Sequence, residues 1–192
     1  NIDESYRKGI EMETNIKLTN NASWSGNITL SENKIVSHTA YVDNWDNGSQ
    51  ESIDYENTDL AFSPNIIWSS LLKYNLTENT SIDLISKYIG EQFIDNTSSQ
   101  DRILNDYLVN HLLLSYNWNN KIFKTSKLTL QINNLLNNKY VSNAWVYRFI
   151  SDSWDPRESD PYVNSDSERG YNMAGYFPQA TRNYLLGVTL GF

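Results

Sequence analysis

Cysteine is absent from the 192 residues, which excludes disulfide frameworks, thiolate metal sites and cysteine nucleophiles. Histidine occurs only as His38 and His111, too little for an imidazole metal centre, so neither a metal nor a cofactor is expected. Methionine is present twice and alanine is sparse, so strong helix formers are thin. No apolar run approaches the roughly 20 residues of a membrane-spanning helix. Basic residues are in deficit, 15 against 23 acids for a net −8, and no basic stripe stands ready to meet phosphates. Nucleic acid is therefore not an expected partner. The chain opens at Asn1 without a start methionine, signal peptide or targeting segment. It is expected to be a processed protein or a piece of a longer one.

What is abundant is aromatic and small polar. Aromatics reach 13%, with 13 Tyr and 6 Trp, among many Asn, Ser and Thr. The dominant pattern has period two. Ile82, Leu84 and Tyr88 alternate with Asp83 and Lys87; Leu112, Leu114, Tyr116 and Trp118 alternate with His111, Ser115 and Asn117. The same alternation marks Ile10–Leu18, Trp24–Leu30, Ile66–Leu76, Leu128–Ile132 and Tyr184–Phe192. Successive side chains of a strand point to opposite faces, so these segments read as β-strands with one apolar face.

The connectors have an order. Short polar links at Thr19–Ser23, Thr77–Asn79 and Asn119–Ser126 alternate with long ones at Val42–Asp59, Asp95–Asn105 and Arg148–Gly175. That arrangement predicts seven antiparallel up-and-down strands, roughly 5–18, 23–41, 60–76, 80–94, 106–118, 127–147 and 176–192, with all short turns at one rim. A transmembrane β-barrel has this asymmetry. A soluble β-sandwich also alternates, with one face in a core. The lengths of several segments and the aromatics near strand ends favour the barrel.

Three stretches then carry a family resemblance. Ser5-Tyr6-Arg7-Lys8-Gly9-Ile10-Glu11-Met12-Glu13 resembles the "R-x-G-hydrophobic-E-x-E" strand of TonB-dependent outer-membrane receptors. Leu130-Gln131-Ile132-Asn133-Asn134-Leu135-Leu136-Asn137-Asn138-Lys139-Tyr140 resembles their "V-N-N-L-F-N-K-K-Y" segment, and Tyr176–Phe192 resembles their closing strand. The asparagine-rich style is similar to Bacteroidota members. The resemblance implies an all-β transmembrane antiparallel up-and-down barrel of about 22 strands with a plugged lumen. Residues 1–192 would be about seven C-terminal strands of it, the plug domain and earlier strands lying outside this chain. Gly187, Leu190 and Phe192 match the assembly signal of such barrels, although the polar residue usual two before the glycine is Leu185 here. An open seven-strand sheet leaves two unpaired edges, so the chain is not expected to be stable alone.

No catalytic constellation is evident, and an enzyme is not expected. Glu11 and Glu13 share a face, where pairing with Lys17, Lys73 or Lys87 is the ordinary role. His111 is expected to be a solvated or hydrogen-bonded lumen residue, and Asn133, Asn134 and Arg182 to stabilise the wall. The long links combine acids with aromatics, a chemistry able to hold a cation, a cationic chelate or a stacked sugar. From them Trp45, Asp46, Tyr55, Trp154, Asp155 and Tyr162 are the candidate ligand contacts. By resemblance the function is TonB-dependent import in the bacterial outer membrane, with an iron–siderophore or similar chelate as leading substrate. A glycan or peptide importer lidded by a surface lipoprotein, and an adhesion or structural subunit, are the alternatives; a soluble carbohydrate-binding sandwich is a further one. The implied partners are the remaining barrel and its plug, the TonB–ExbB–ExbD complex, the barrel-assembly machinery and outer-membrane lipid.

Overall fold

A computed structural model describes residue 2 and residues 4–192. The described residues form thirteen strands: β1 (Glu4–Lys17), β2 (Ala22–Asn44), β3 (Ser49–Asp59), β4 (Ile66–Asn75), β5 (Thr80–Ile89), β6 (Gln92–Phe93), β7 (Ile103–Leu104), β8 (Tyr107–Asn117), β9 (Thr125–Asn133), β10 (Val141–Ile150), β11 (Val163–Ser165), β12 (Tyr171–Pro178) and β13 (Asn183–Gly191). One 3-10 turn, Pro156–Glu158, joins them. Among the described residues no helix is long and apolar enough to cross a membrane, which says nothing of crossing by strands.

Seven strands make a continuous antiparallel wall in the order β1-β2-β4-β5-β8-β9-β13. Its register keeps like with like. Ile16, Trp24, Leu72, Leu84, Leu112, Ile132 and Tyr184 form one line across all seven strands. One residue away on the other face runs Lys17, Ser23, Lys73, Asp83, Leu113, Gln131 and Leu185. A one-residue slip anywhere would interchange the faces, so the alternation itself pins the register. β4, β5 and β8 have 10, 10 and 11 residues, the length of about 9–11 that a tilted strand needs to cross a bilayer.

The apolar face meets no second sheet and no helix. Ile10 is 66% exposed and Leu186 72%, and Leu30, Leu72, Tyr74, Leu128, Val188 and Leu190 on the same face are exposed too. The buried apolar residues cluster instead at the long-loop rim: Ile35, Val42, Ile94, Leu104, Ala144, Phe149, Ile150 and Val163. A sandwich core is thereby ruled out, and the sheet is a curled section of barrel wall. One line of the apolar face, Thr14, Gly26, Ser70, Ser86 and Asn110, is small or polar. Along it Trp24 Nε1 donates to Ser70 Oγ (2.8 Å) and Ser86 Oγ to Asn110 Oδ1 (2.6 Å). Trp24 reaches Ser70 by lying over Gly26, where an added Cβ would stand 2.9 Å from Trp24 Cζ2.

Several sequence expectations need correction. The single strand expected over 127–147 is two, because β9 ends at Asn133 and β10 begins at Val141. Asn134 (φ 50°) and Asn137 (φ 57°) adopt the left-handed conformation between them, which asparagine tolerates better than most residues. The strand expected over 176–192 is likewise split between the end of β12 and β13. β10 and β12 pair as a hairpin, standing at the long-loop rim between β9 and β13. The Val42–Asp59 link is also a hairpin, since β2 continues to Asn44 and pairs with β3. The strand expected over 60–76 begins at Ile66, and that over 80–94 ends at Ile89 before the small β6–β7 pair. Glu11 and Glu13 make no ion pair among the described residues. His111 Nδ1 shares a hydrogen bond with Asn133 Oδ1 at 3.1 Å.

Candidate functional site

The three long connections converge at one rim. β10 runs parallel to the end of β2, Phe149 beside Asp43 and Ile150 beside Asn44. A hairpin arising between the last two wall strands thus reaches the second, which only a curled wall allows. Trp45, in the tight turn after β2, stacks on Phe149 with ring centroids 3.9 Å apart and donates its Nε1–H to Tyr147 Oη at 3.1 Å.

Beneath these tips lies a polar knot. Arg102, fully buried, donates from Nε to Asp95 Oδ2 (2.7 Å), from Nη2 to Thr97 Oγ1 (2.6 Å) and from Nη1 to Asp166. Arg148 donates to Asp166 Oδ2 (3.2 Å), Glu168 Oε2 (2.6 Å) and Tyr55 Oη (2.9 Å), and Tyr55 in turn donates to Glu168. Groups from all three long connections therefore share one network. Arg169 adds bonds to Glu51 (2.7 Å) and Asp152 (2.8 Å). Burial pushes the Asp166 carboxyl up, but the Glu168 backbone N–H with Arg102 and Arg148 outweighs it and holds the group below the usual carboxylate range. Burial, then the bond to Glu168, pushes the Tyr55 hydroxyl up to about 12.

The sequence-selected residues divide into two kinds. Asp46 accepts the backbone N–H groups of Asp152 (2.6 Å) and Ser153 (3.2 Å), tying the two hairpin tips together. Tyr55 belongs to the buried knot and stacks on His38 at 5.3 Å. Asp155 caps the 3-10 turn and pairs with Arg157, whose hydrogen bonds lower its carboxyl to about 2. These three are consumed by internal bonds. Trp45, Trp154 and Tyr162 keep exposed aromatic surface. Below the tips a pocket of about 400 Å³ is lined by His38, Asp43, Gln50, Asp95, Tyr147 and Arg148 among others. Arg102 and Arg148 were not singled out from the sequence; the available signal was isolated arginine within acid-rich connections. Among the described residues no group of three or more His, Cys, Asp or Glu is placed to hold a metal ion.

No family model matches the chain, and no curated protein matches it in sequence. Solved structures do match. The closed form of the ferric-catecholate import receptor Fiu from E. coli K12 aligns with a TM-score of 0.60 at 18% identity, covering 98% of this chain and 21% of that one. Its open form gives 0.54 at 17%, covering 94% and 20%. The siderophore receptor PiuA from Acinetobacter baumannii gives 0.60 at 16%, covering 95% and 22%. The chain spans about a fifth of the length of these receptors. It has the fold of a section of the β-barrel of such receptors.

Proposed function

We propose that the chain is the C-terminal part of a TonB-dependent transporter in the bacterial outer membrane, taking up a nutrient by active transport. The observation that carries the reading is the predominantly apolar, exposed face of a seven-strand wall with nothing packed on it, in a fold shared with import receptors. Hydrocarbon is the solvent that suits such a face. The short-turn rim is then periplasmic and the convergent long loops extracellular. The remaining wall and a plug domain complete the barrel, and TonB–ExbB–ExbD supplies the force that moves the plug. Gly187, Leu190 and Phe192 serve as the signal read by the assembly machinery.

The ligand is a ferric siderophore or similar chelate, and Trp45, Trp154 and Tyr162 meet it with their exposed rings; Asp46, Tyr55 and Asp155 hold those rings in place. Disrupting the gene in its host is expected to abolish growth on a ferric chelate under iron limitation while leaving growth on iron salts intact. Trp45→Ala with Trp154→Ala in the full receptor should weaken ligand binding at least about tenfold. Growth lost on a glycan or peptide instead would replace the chelate with that substrate class. No growth defect on any nutrient would leave an adhesion or structural role.

A further inference from the structure

We propose that the imported chelate is a cation, with an ammonium group of it seated against Asp43 in the cavity between β2 and β10. The inference deepens the import reading above and rests on it, adding the charge of what is imported. The cavity is the one of about 400 Å³ below the hairpin tips. β10 pairs with β2 only at Phe149–Asp43 and Ile150–Asn44. The cavity is lined by residues that precede this pairing in both strands, Ala40 and Tyr41 in β2 and Val146 and Tyr147 in β10, together with Asp43 itself.

The lining holds two carboxylates and one guanidinium, and two of these three charges are matched. Asp95 is paired with Arg102 at 2.7 Å, and Arg148 with Asp166 and Glu168. Asp43 has no cation partner among the described residues. Its Oδ1 accepts from Gln50 Nε2 at 2.8 Å and its Oδ2 from Tyr147 Oη at 2.7 Å. Neutral donors orient a carboxylate without cancelling its charge; these two hold the group below the usual carboxylate range, so it is ionised at neutral pH. Tyr41, two residues before Asp43 and so on the same face of β2, is 68% exposed. A fixed carboxylate beside aromatic rings takes an ammonium by a charge-assisted hydrogen bond and by cation–π attraction.

The field around the cavity has the same sign. The long connections 42–59, 95–105 and 148–175 hold fourteen carboxylates, four arginines and no lysine. That excess of ten is larger than the net −8 of the whole chain, so negative charge is concentrated at this rim. All four arginines are ion-paired. Asp46 and Asp54, like Asp43, accept from neutral donors only, so hydrogen bonding fixes these acids in place and leaves their charge. A mouth lined by one sign of charge gathers ions of the other sign and speeds their arrival. Catecholates around a ferric ion leave an anion, which this rim repels. Hydroxamates leave a neutral complex, and a free amine on its backbone makes that complex the cation that fits.

The test measures equilibrium binding and association rate on the full receptor in detergent with three probes: a ferric linear trihydroxamate bearing a terminal amine, the same chelate with that amine acetylated, and cadaverine, a diamine without iron. The amine chelate should bind at least about tenfold more tightly than its acetylated form, and Asp43→Asn should remove that preference. Its association should slow with added salt while that of the acetylated form does not. Equal affinity of the two chelates overturns the proposal, and the parent protein suffices for that comparison if Asp43→Asn fails to fold. Equal salt response overturns the steering by the rim. A folded Asp43→Asn receptor that keeps the preference overturns the seat. If neither chelate binds, cadaverine decides: binding that Asp43→Asn abolishes keeps the cation seat and loses the chelate, and any other result overturns the seat while the growth test above still decides import.

Discussion

At the scale of single residues, the acids of the long connections are structural rather than free. Arg102 and Asp166 both have fully buried side chains. Removing one partner leaves the other charge buried and uncompensated, at a cost of about 3–5 kcal/mol. Arg102→Ala is expected to open the loops locally while the wall stays intact. Hydrogen exchange should speed at residues 95–104 and 163–168 and remain slow in β4, β5 and β8; uniform protection would refute the knot. The pH dependence has a definite sign. A carboxyl held below its ordinary value stabilises the folded loops above that ordinary value, about 4, and the contribution fades as pH falls through the folded value. For Asp166 the loops should therefore gain protease sensitivity below about pH 4 and not between pH 6 and 8. Residue types alone could not foretell this. Asp46 bonds backbone 106 and 107 positions away, and Tyr55 bonds a carboxylate 113 positions away. Acid beside aromatic looked like a ligand surface because the partners were remote in sequence.

At the scale of elements, the wall strands were legible and the loop strands were not. Period two marks a strand wherever one face is apolar, and the register lines show why each wall segment obeyed it. The large apolar and aromatic residues fall on even positions in Leu128, Leu130 and Ile132 but on odd ones in Val141, Trp145 and Tyr147, and this change of phase is the signal in the sequence that the chain leaves the wall after Asn133. The break is made by Asn134, which is buried, sits at φ 50°, donates from Nδ2 to Asn138 O (2.8 Å) and Ala180 O (3.2 Å), and accepts from Asn138 N (2.9 Å). Asn134→Val removes those bonds and sets a β-branched residue in the left-handed region, for an expected loss of about 2 kcal/mol or more. The midpoint of denaturant unfolding in lipid or detergent should fall by a corresponding amount, whereas Asn138→Ala, which keeps its backbone bonds to Asn134, should lose less. Equal midpoints for parent and Asn134→Val would show that the turn is set by the strands it joins.

At the scale of the whole molecule, surface area decides what surrounds the wall. A soluble globule of 22.2 kDa exposes about 9,400 Å² by the usual scaling. This chain exposes 12281 Å², an excess of roughly 2,900 Å² that includes the apolar face and the unpaired edges of β1 and β13. On the proposed reading lipid covers the excess on one face and neighbouring strands cover it at the edges. Two adjacent leucines of β13 separate lipid from every other cover. Leu186 is 72% exposed and lies on the apolar face in register with Leu130; Leu185 is 57% exposed and lies on the opposite face in register with Gln131. In water both would accept arginine at little cost. In a bilayer Leu186→Arg places a charge in hydrocarbon and should destabilise the folded barrel by about 2–4 kcal/mol, while Leu185→Arg, facing the lumen, should cost under about 1 kcal/mol. Reversible unfolding of the full receptor in lipid vesicles measures both. Equal costs for the pair would mean that lipid does not touch this face, and the barrel reading would fall with it.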